Sequence, residues 1–94
     1  MARITTAEVP KEVLDCLFDD FHIWDKIRDG RLTSKSIGST MSYTWPDATY
    51  LILKHFLPDG KHIATTHCVK DNDGNVLHWD AKDVRLRGLC LWRA

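Results

Sequence analysis

Residues 66–80 read THCVKDNDGNVLHWD. At the centre, Asp71-Asn72-Asp73-Gly74 is a tight-turn signature. Asp and Asn side chains close on their own backbone, and glycine accepts positive φ without steric cost. The flanking runs, rich in β-branched and aromatic residues, predict two antiparallel strands joined by a hairpin. With a three-residue loop and glycine at the bulge position, Val69 pairs with Leu77, His67 with Trp79, Cys68 with His78 and Thr66 with Asp80.

The same pattern recurs upstream. Leu57-Pro58-Asp59-Gly60 is a second such turn, with proline presetting φ, between strands at 49–57 and 62–70. It pairs Leu51 with His67, Tyr50 with Cys68 and Ile52 with Thr66. Earlier, Ile37, Met41, Tyr43 and Trp45 alternate with small polar residues, which predicts a strand at 36–45 and a turn at Trp45-Pro46-Asp47-Ala48. Downstream, strands are expected at 76–80 and 84–92, joined by a four-residue turn from Asp80 to Asp83 that sets His78 opposite Arg85. Gly88 marks a bulge in the last strand.

The N-terminal third has a different period. Thr5 or Thr6 can cap a helix, and Pro10 is tolerated in its first turn. Val13, Leu14, Leu17, Phe18, Phe21, Trp24 and Ile27 then fall at helical spacing over about 10–28. Asp20 sits at the edge of this stripe, where a kink or break is expected, and Asp29-Gly30 ends the element. The expected architecture is a single α+β domain over 1–94. In it an N-terminal amphipathic helix packs on one face of an antiparallel meander of about five strands.

Totals narrow the function. Ninety-four residues support one modest core. The net charge is zero, with a balance of −2 over residues 1–47 and +2 over 48–94, which argues against a dedicated nucleic-acid binder. Cys16, Cys68 and Cys90 are widely spaced and form no CxxC pair, as suits a reducing cytoplasm. No apolar run is long enough to span a membrane. There is no GxGxxG, P-loop, HExxH or GxSxG motif, so no cofactor is expected.

The two hairpin registers define two faces. Leu51, Leu53, Ile63, Val69, Leu77, Trp79, Val84 and Leu86 form the side expected to meet the helix, with His67 a buried, hydrogen-bonded histidine among them. The open face carries a row of Tyr50, Cys68, His78 and Arg85, flanked by Ile52, Thr66, Asp80, Lys54, Lys70, Phe56, Lys82 and Arg87. A register slip of one residue would exchange these roles.

Three chemistries suit that face. Cys68 with His78 and Asp80 has the residue types of an activated thiol, but an open sheet face supplies no oxyanion hole, so no catalytic residue is assigned on this ground. Cys68, His78 and Asp80, with His62 nearby, match no metal-ligand spacing, and no metal is expected. His78, Arg85 and Tyr50, with Lys70 and Arg87, could serve a small RelE- or barnase-like ribonuclease toxin as acid, base and phosphate cations. Against this stands the neutral total charge.

Binding without chemistry accounts for the face better. Tyr50, Ile52, Lys54, Phe56, Lys70, His78, Arg85 and Arg87 mix aromatics and cations as interface cores do. The expectation is a small, cytoplasmic, non-enzymatic protein-binding regulator or inhibitor, of the kind phage and other mobile elements encode. A nucleic-acid partner ranks below a protein one, and a membrane is excluded.

Overall fold

A computed structural model of the chain describes residues 5–41, 47–86 and 88–93. Tyr43, Trp45 and Arg87, named above, lie outside the described residues. In chain order the elements are β1 (Thr5–Val9), α1 (Lys11–Asp20), α2 (Ile23–Arg28), β2 (Thr33–Met41), β3 (Thr49–Phe56), β4 (His62–Lys70), β5 (Val76–Leu86) and β6 (Leu89–Arg93). The fold is α+β. The strands form one six-stranded mixed sheet in the order β1-β6-β5-β4-β3-β2, antiparallel except where β1 runs parallel to β6.

Two expectations need correction and a third is met. The segment before Pro10 is a strand and not a helix cap: Thr5 to Val9 pairs with Leu89 to Arg93. Pro10 is the N-cap of α1, at φ −62° and ψ 153°, without a side-chain cap. The break expected near Asp20 is borne out: the helical stretch is two helices, parted at Phe21-His22, where His22 takes the left-handed conformation at φ 55°. And β5 does not turn at Asp80 to Asp83 but continues to Leu86. Gly88, at φ 79°, belongs to the turn between β5 and β6. Lys82 is an extra residue that β5 absorbs as a bulge, since Thr66 pairs with Ala81 and Thr65 with Asp83.

Both Asp-Gly turns are the three-residue loops expected. Leu57 N donates to Lys61 O, and Asp71 N donates to Asn75 O. Asp71 Oδ1 also accepts from the amides of Asp73 and Asn75. Yet one residue beyond each turn the register slips. Phe56 pairs with His62 but His55 with Ala64, leaving Ile63 as a bulge. Lys70 pairs with Val76 but Val69 with His78, leaving Leu77 as a bulge. A single extra residue inverts the facing of everything beyond it. Thr66, Cys68 and Lys70 therefore leave the open face, and Thr65, His67 and Val69 join it.

The helices cover the other side. Leu14 and Phe18 of α1 and Ile23 of α2 are fully buried against Ala64, Ala81 and Val84, with Leu32 closing the cluster. Each large side chain so buried stabilises by about 1.5–3 kcal/mol. Trp24 stands edge-on to Trp79 at 5.5 Å between ring centroids, which fixes Trp79 on the helix side as expected. Leu51 and Leu53 lie there too, opposite Cys68 and Thr66. A polar chain threads this layer: Trp79 Nε1 donates to Thr66 Oγ1 at 2.8 Å, Thr66 Oγ1 lies 2.7 Å from His55 Nε2, and His55 Nδ1 lies 2.7 Å from Ser34 Oγ. Among the described residues no helix is long and apolar enough to cross a membrane.

Candidate functional site

The slipped register assembles a polar cluster on the open face. His67 of β4 faces Asp80 of β5, and His78 stands two residues along β5 from Asp80, hence on the same side. Tyr50 of β3 reaches the same spot, because its neighbour two along, Ile52, faces His67. Tyr50 Oη lies 2.6 Å from His67 Nδ1. His67 Nε2 lies 3.2 Å from Asp80 Oδ2, and His78 Nε2 hydrogen-bonds the same oxygen. Arg93, at the end of β6, donates to Asp80 Oδ2 at 3.5 Å, and Lys11, at the start of α1, stands 3.7 Å from Asp80 Oδ1. Asp80 is thus the hub of side chains drawn from β3, β4, β5, β6 and α1.

Electrostatics follow from partial burial. Burial disfavours the charged form of His67 and, with Arg93 adding to it, outweighs the hydrogen bond to Asp80, so its pKa falls below the ordinary histidine value. Burial also pushes Asp80 upward, but hydrogen bonds from His67 and His78 and the positive Lys11 prevail, and its carboxyl ends below the usual range. A neutral His67 has one tautomer that suits Asp80 and Tyr50, and in it Nε2 does not accept from Arg93, whose guanidinium nitrogen lies 3.4 Å away. Its Nε2–H donates to Asp80, and its Nδ1 accepts from the Tyr50 hydroxyl.

Cys68 is not part of this cluster. It is fully buried on the helix side, opposite Trp79, and burial pushes its thiol pKa upward, so it stays protonated. The pairing of Cys68 with His78 expected from the turn does not occur, and the activated-thiol idea lapses with it. His67, read as a core histidine, is buried to 9% exposure as expected, but among functional groups and not beside Trp79.

The other end of the open face is distinct. Tyr50, Ile52, Lys54 and Phe56 line β3 on this side, all half-buried. Lys54 faces Thr65, and Phe56 packs on His62 with ring centroids 5.3 Å apart. Lys70 shares the alternation of Cys68 and belongs to the opposite side. Arg85 faces Cys90, and Asp83 faces Trp92, which is 41% exposed. Because β5 is continuous, Arg85 and His78 are separated by about 20 Å of strand and do not share the row expected of them.

Arg85 lines a cleft of about 570 Å³ with Leu57, Lys61, His62, Ile63, Leu86, Gly88 and Leu89. The cleft lies where the β3–β4 and β5–β6 connections meet. Arg85 Nε is buried without a hydrogen-bond partner, as is Asp83 Oδ1, and the Arg85 guanidinium forms no ion pair with a described residue. Burial, with Arg85 close by, lowers the pKa of His62. Comparison with protein-family models, with curated proteins and with solved structures returns no match.

Three residues of the cluster, His67, Arg93 and Lys11, escaped the sequence as site residues. His67 was hidden by the bulges at Ile63 and Leu77, for which no turn residue gives a signal. Arg93 was hidden because its neighbourhood depends on β1 and β6, which lie at opposite ends of the chain.

Proposed function

We propose that the protein is a non-enzymatic protein-binding module, a regulator or inhibitor, that takes a partner segment through its open sheet face and anchors it in the cleft beside Arg85. One observation carries this reading. A half-buried guanidinium whose Nε is buried without a hydrogen-bond partner, and which forms no ion pair with a described residue, lies among Leu57, Leu86 and Leu89. A partly desolvated charge is costly unless an anion meets it, and the surrounding leucines favour an apolar neighbour to that anion. Trp92, which faces Asp83 and is 41% exposed, extends the apolar surface along β6 on the open side. Tyr50, Ile52, Lys54 and Phe56 continue it across β3. The partner segment is therefore one that presents a carboxylate next to a large apolar side chain.

The ribonuclease alternative loses geometric support, since His78 and Arg85 stand about 20 Å apart along one strand and cannot grip one phosphate. Panning a random-peptide display library against the protein tests the binding reading. Enriched peptides should pair Asp or Glu with Leu, Ile or Phe, and Arg85→Gln should weaken them by about tenfold or more, the behaviour of an interface anchor. Enrichment of basic peptides, or full affinity in Arg85→Gln, defeats the proposal. Cleavage of RNA by the protein in EDTA would restore the alternative.

A further inference from the structure

The Asp80 hub lies outside the cleft, and of its members only Tyr50 belongs to the proposed docking surface. Gathering two imidazoles, a carboxylate, a phenol and two cations adds little stability on its own account, because desolvation offsets the attraction among the buried members and solvent screens half-exposed Lys11 and His78. The arrangement of donor atoms is more specific than an ion-pair network requires. His67 Nε2, His78 Nε2 and Asp80 Oδ2 all lie within 4.8 Å of one another. Nitrogen and oxygen ligands at about 2.0–2.1 Å from a tetrahedral ion stand about 3.3 Å apart. Rotation about the side-chain torsions of half-exposed His78 supplies the remaining contraction.

The strand geometry makes this a set and not a coincidence of reach. His78 and Asp80 are alternate residues on β5, and His67 is the residue facing Asp80 on β4. They occupy three adjacent positions on one side of two paired strands, so their side chains rise in parallel. Behind His67, the Tyr50 hydroxyl holds the ring nitrogen turned away from the cluster, Nδ1, at 2.6 Å. A hydrogen-bonded partner on the far nitrogen is what orients ligating histidines. The bulges at Ile63 and Leu77 are what bring His67 here in place of Cys68, which exchanges a thiolate for an imidazole in the donor set.

We propose that His67 Nε2, His78 Nε2 and Asp80 Oδ2 form a binding site for a divalent first-row transition metal of the zinc class. Two imidazoles and a carboxylate suit such ions and not magnesium or calcium, which take oxygen ligands. Three protein ligands leave at least one coordination position open, as in exchangeable and not closed structural sites. On binding, the proton on His67 Nε2 shifts to Nδ1, which then donates to the Tyr50 oxygen. Arg93 and Lys11, now at 3.5 and 3.7 Å from the Asp80 carboxylate, are the metal's competitors. They neutralise Asp80 when no metal is bound and must turn away when it is.

That competition separates a metal site from a structural ion-pair network. Protein stripped with a chelator is titrated with Co(II) alone, followed by its visible d–d absorption, and then with Zn(II) as displacer. The wild type should bind one equivalent. His78→Ala and Asp80→Asn should weaken binding by about tenfold or more, His62→Ala should leave it unchanged, and Arg93→Gln should tighten it. His78 is 39% exposed in its side chain, so its truncation keeps the fold, which a thermal melt verifies. Absence of stoichiometric binding in both the wild type and Arg93→Gln overturns the proposal. So does equal affinity in wild type and His78→Ala.

Discussion

His55 is fully buried, with both ring nitrogens committed to hydroxyls, Ser34 on Nδ1 and Thr66 on Nε2. The assignment that uses every proton has Trp79 Nε1–H donating to Thr66, Thr66 donating to His55, and His55 donating to Ser34, with the imidazole neutral. Burial, with nearby His62 adding to it, lowers the His55 pKa from 6.5 to about 4. The unfolded chain protonates this histidine first as pH falls. Stability is therefore full above pH 6.5 and declines as pH drops towards 4, by an amount on the order of 3 kcal/mol for this one group. His62, whose pKa is also lowered, contributes a slope of the same sign. Urea midpoints at pH 7 and pH 4.5 should show the loss, and His55→Gln, although less stable at pH 7, should show a much smaller pH dependence. An unchanged pH slope in the variant places the titrating group elsewhere. Nothing in the sequence around His55 distinguishes it from an exposed strand histidine. Its partners come from β2 and β4, so its role appears only once three strands are aligned.

At the scale of elements, α1 was legible because its stripe is repeated over several turns, while its depth was not. Leu14 and Phe18 are fully buried, whereas Val13 and Phe21, counted in the same stripe, are 43% and 44% exposed. The break at His22 rotates α2, so that Ile23 and not Phe21 continues the buried line. Leu14→Ala should therefore destabilise by about 2–5 kcal/mol, and Val13→Ala by about 0.5 kcal/mol or less, as measured by chemical denaturation. Comparable losses would mean the stripe is buried more broadly than the two-helix arrangement allows. The hairpins show the complementary case. Their turns are written in Asp and Gly, and both loop lengths follow from that chemistry. The bulges are written in nothing local: Ile63 packs against the core and Leu77 is exposed, yet both are ordinary strand residues. β1 was missed for a related reason. Thr5 to Val9 is short and largely polar, and its partner strand lies at the other end of the chain.

Across the whole molecule, the open face carries two unlike ends on a continuous frame. β5 runs under both, from His78 and Asp80 in the hub to Arg85 in the cleft, and it is hydrogen-bonded to β4 on one side and β6 on the other. Of the sheet's two edges, β1 and β2, the one at β2 is blunted by Lys35 and by a bulge at Ile37, so lateral pairing of copies is disfavoured there. Asp80 and Arg85 are about 15 Å apart along the strand, and hub and cleft share no side chain, so the two should act independently. Sites this far apart couple by about 0.5 kcal/mol or less, which is roughly a twofold change in affinity. Arg85→Gln should abolish capture of an acidic, apolar peptide while leaving Co(II) binding as in the wild type. His78→Ala should do the reverse. Measuring peptide affinity by fluorescence anisotropy, with and without one equivalent of Co(II), completes the cycle. A change of tenfold or more between metal-free and loaded protein would show that the partner spans both ends of the face, with the metal forming part of the docking surface and not a separate site.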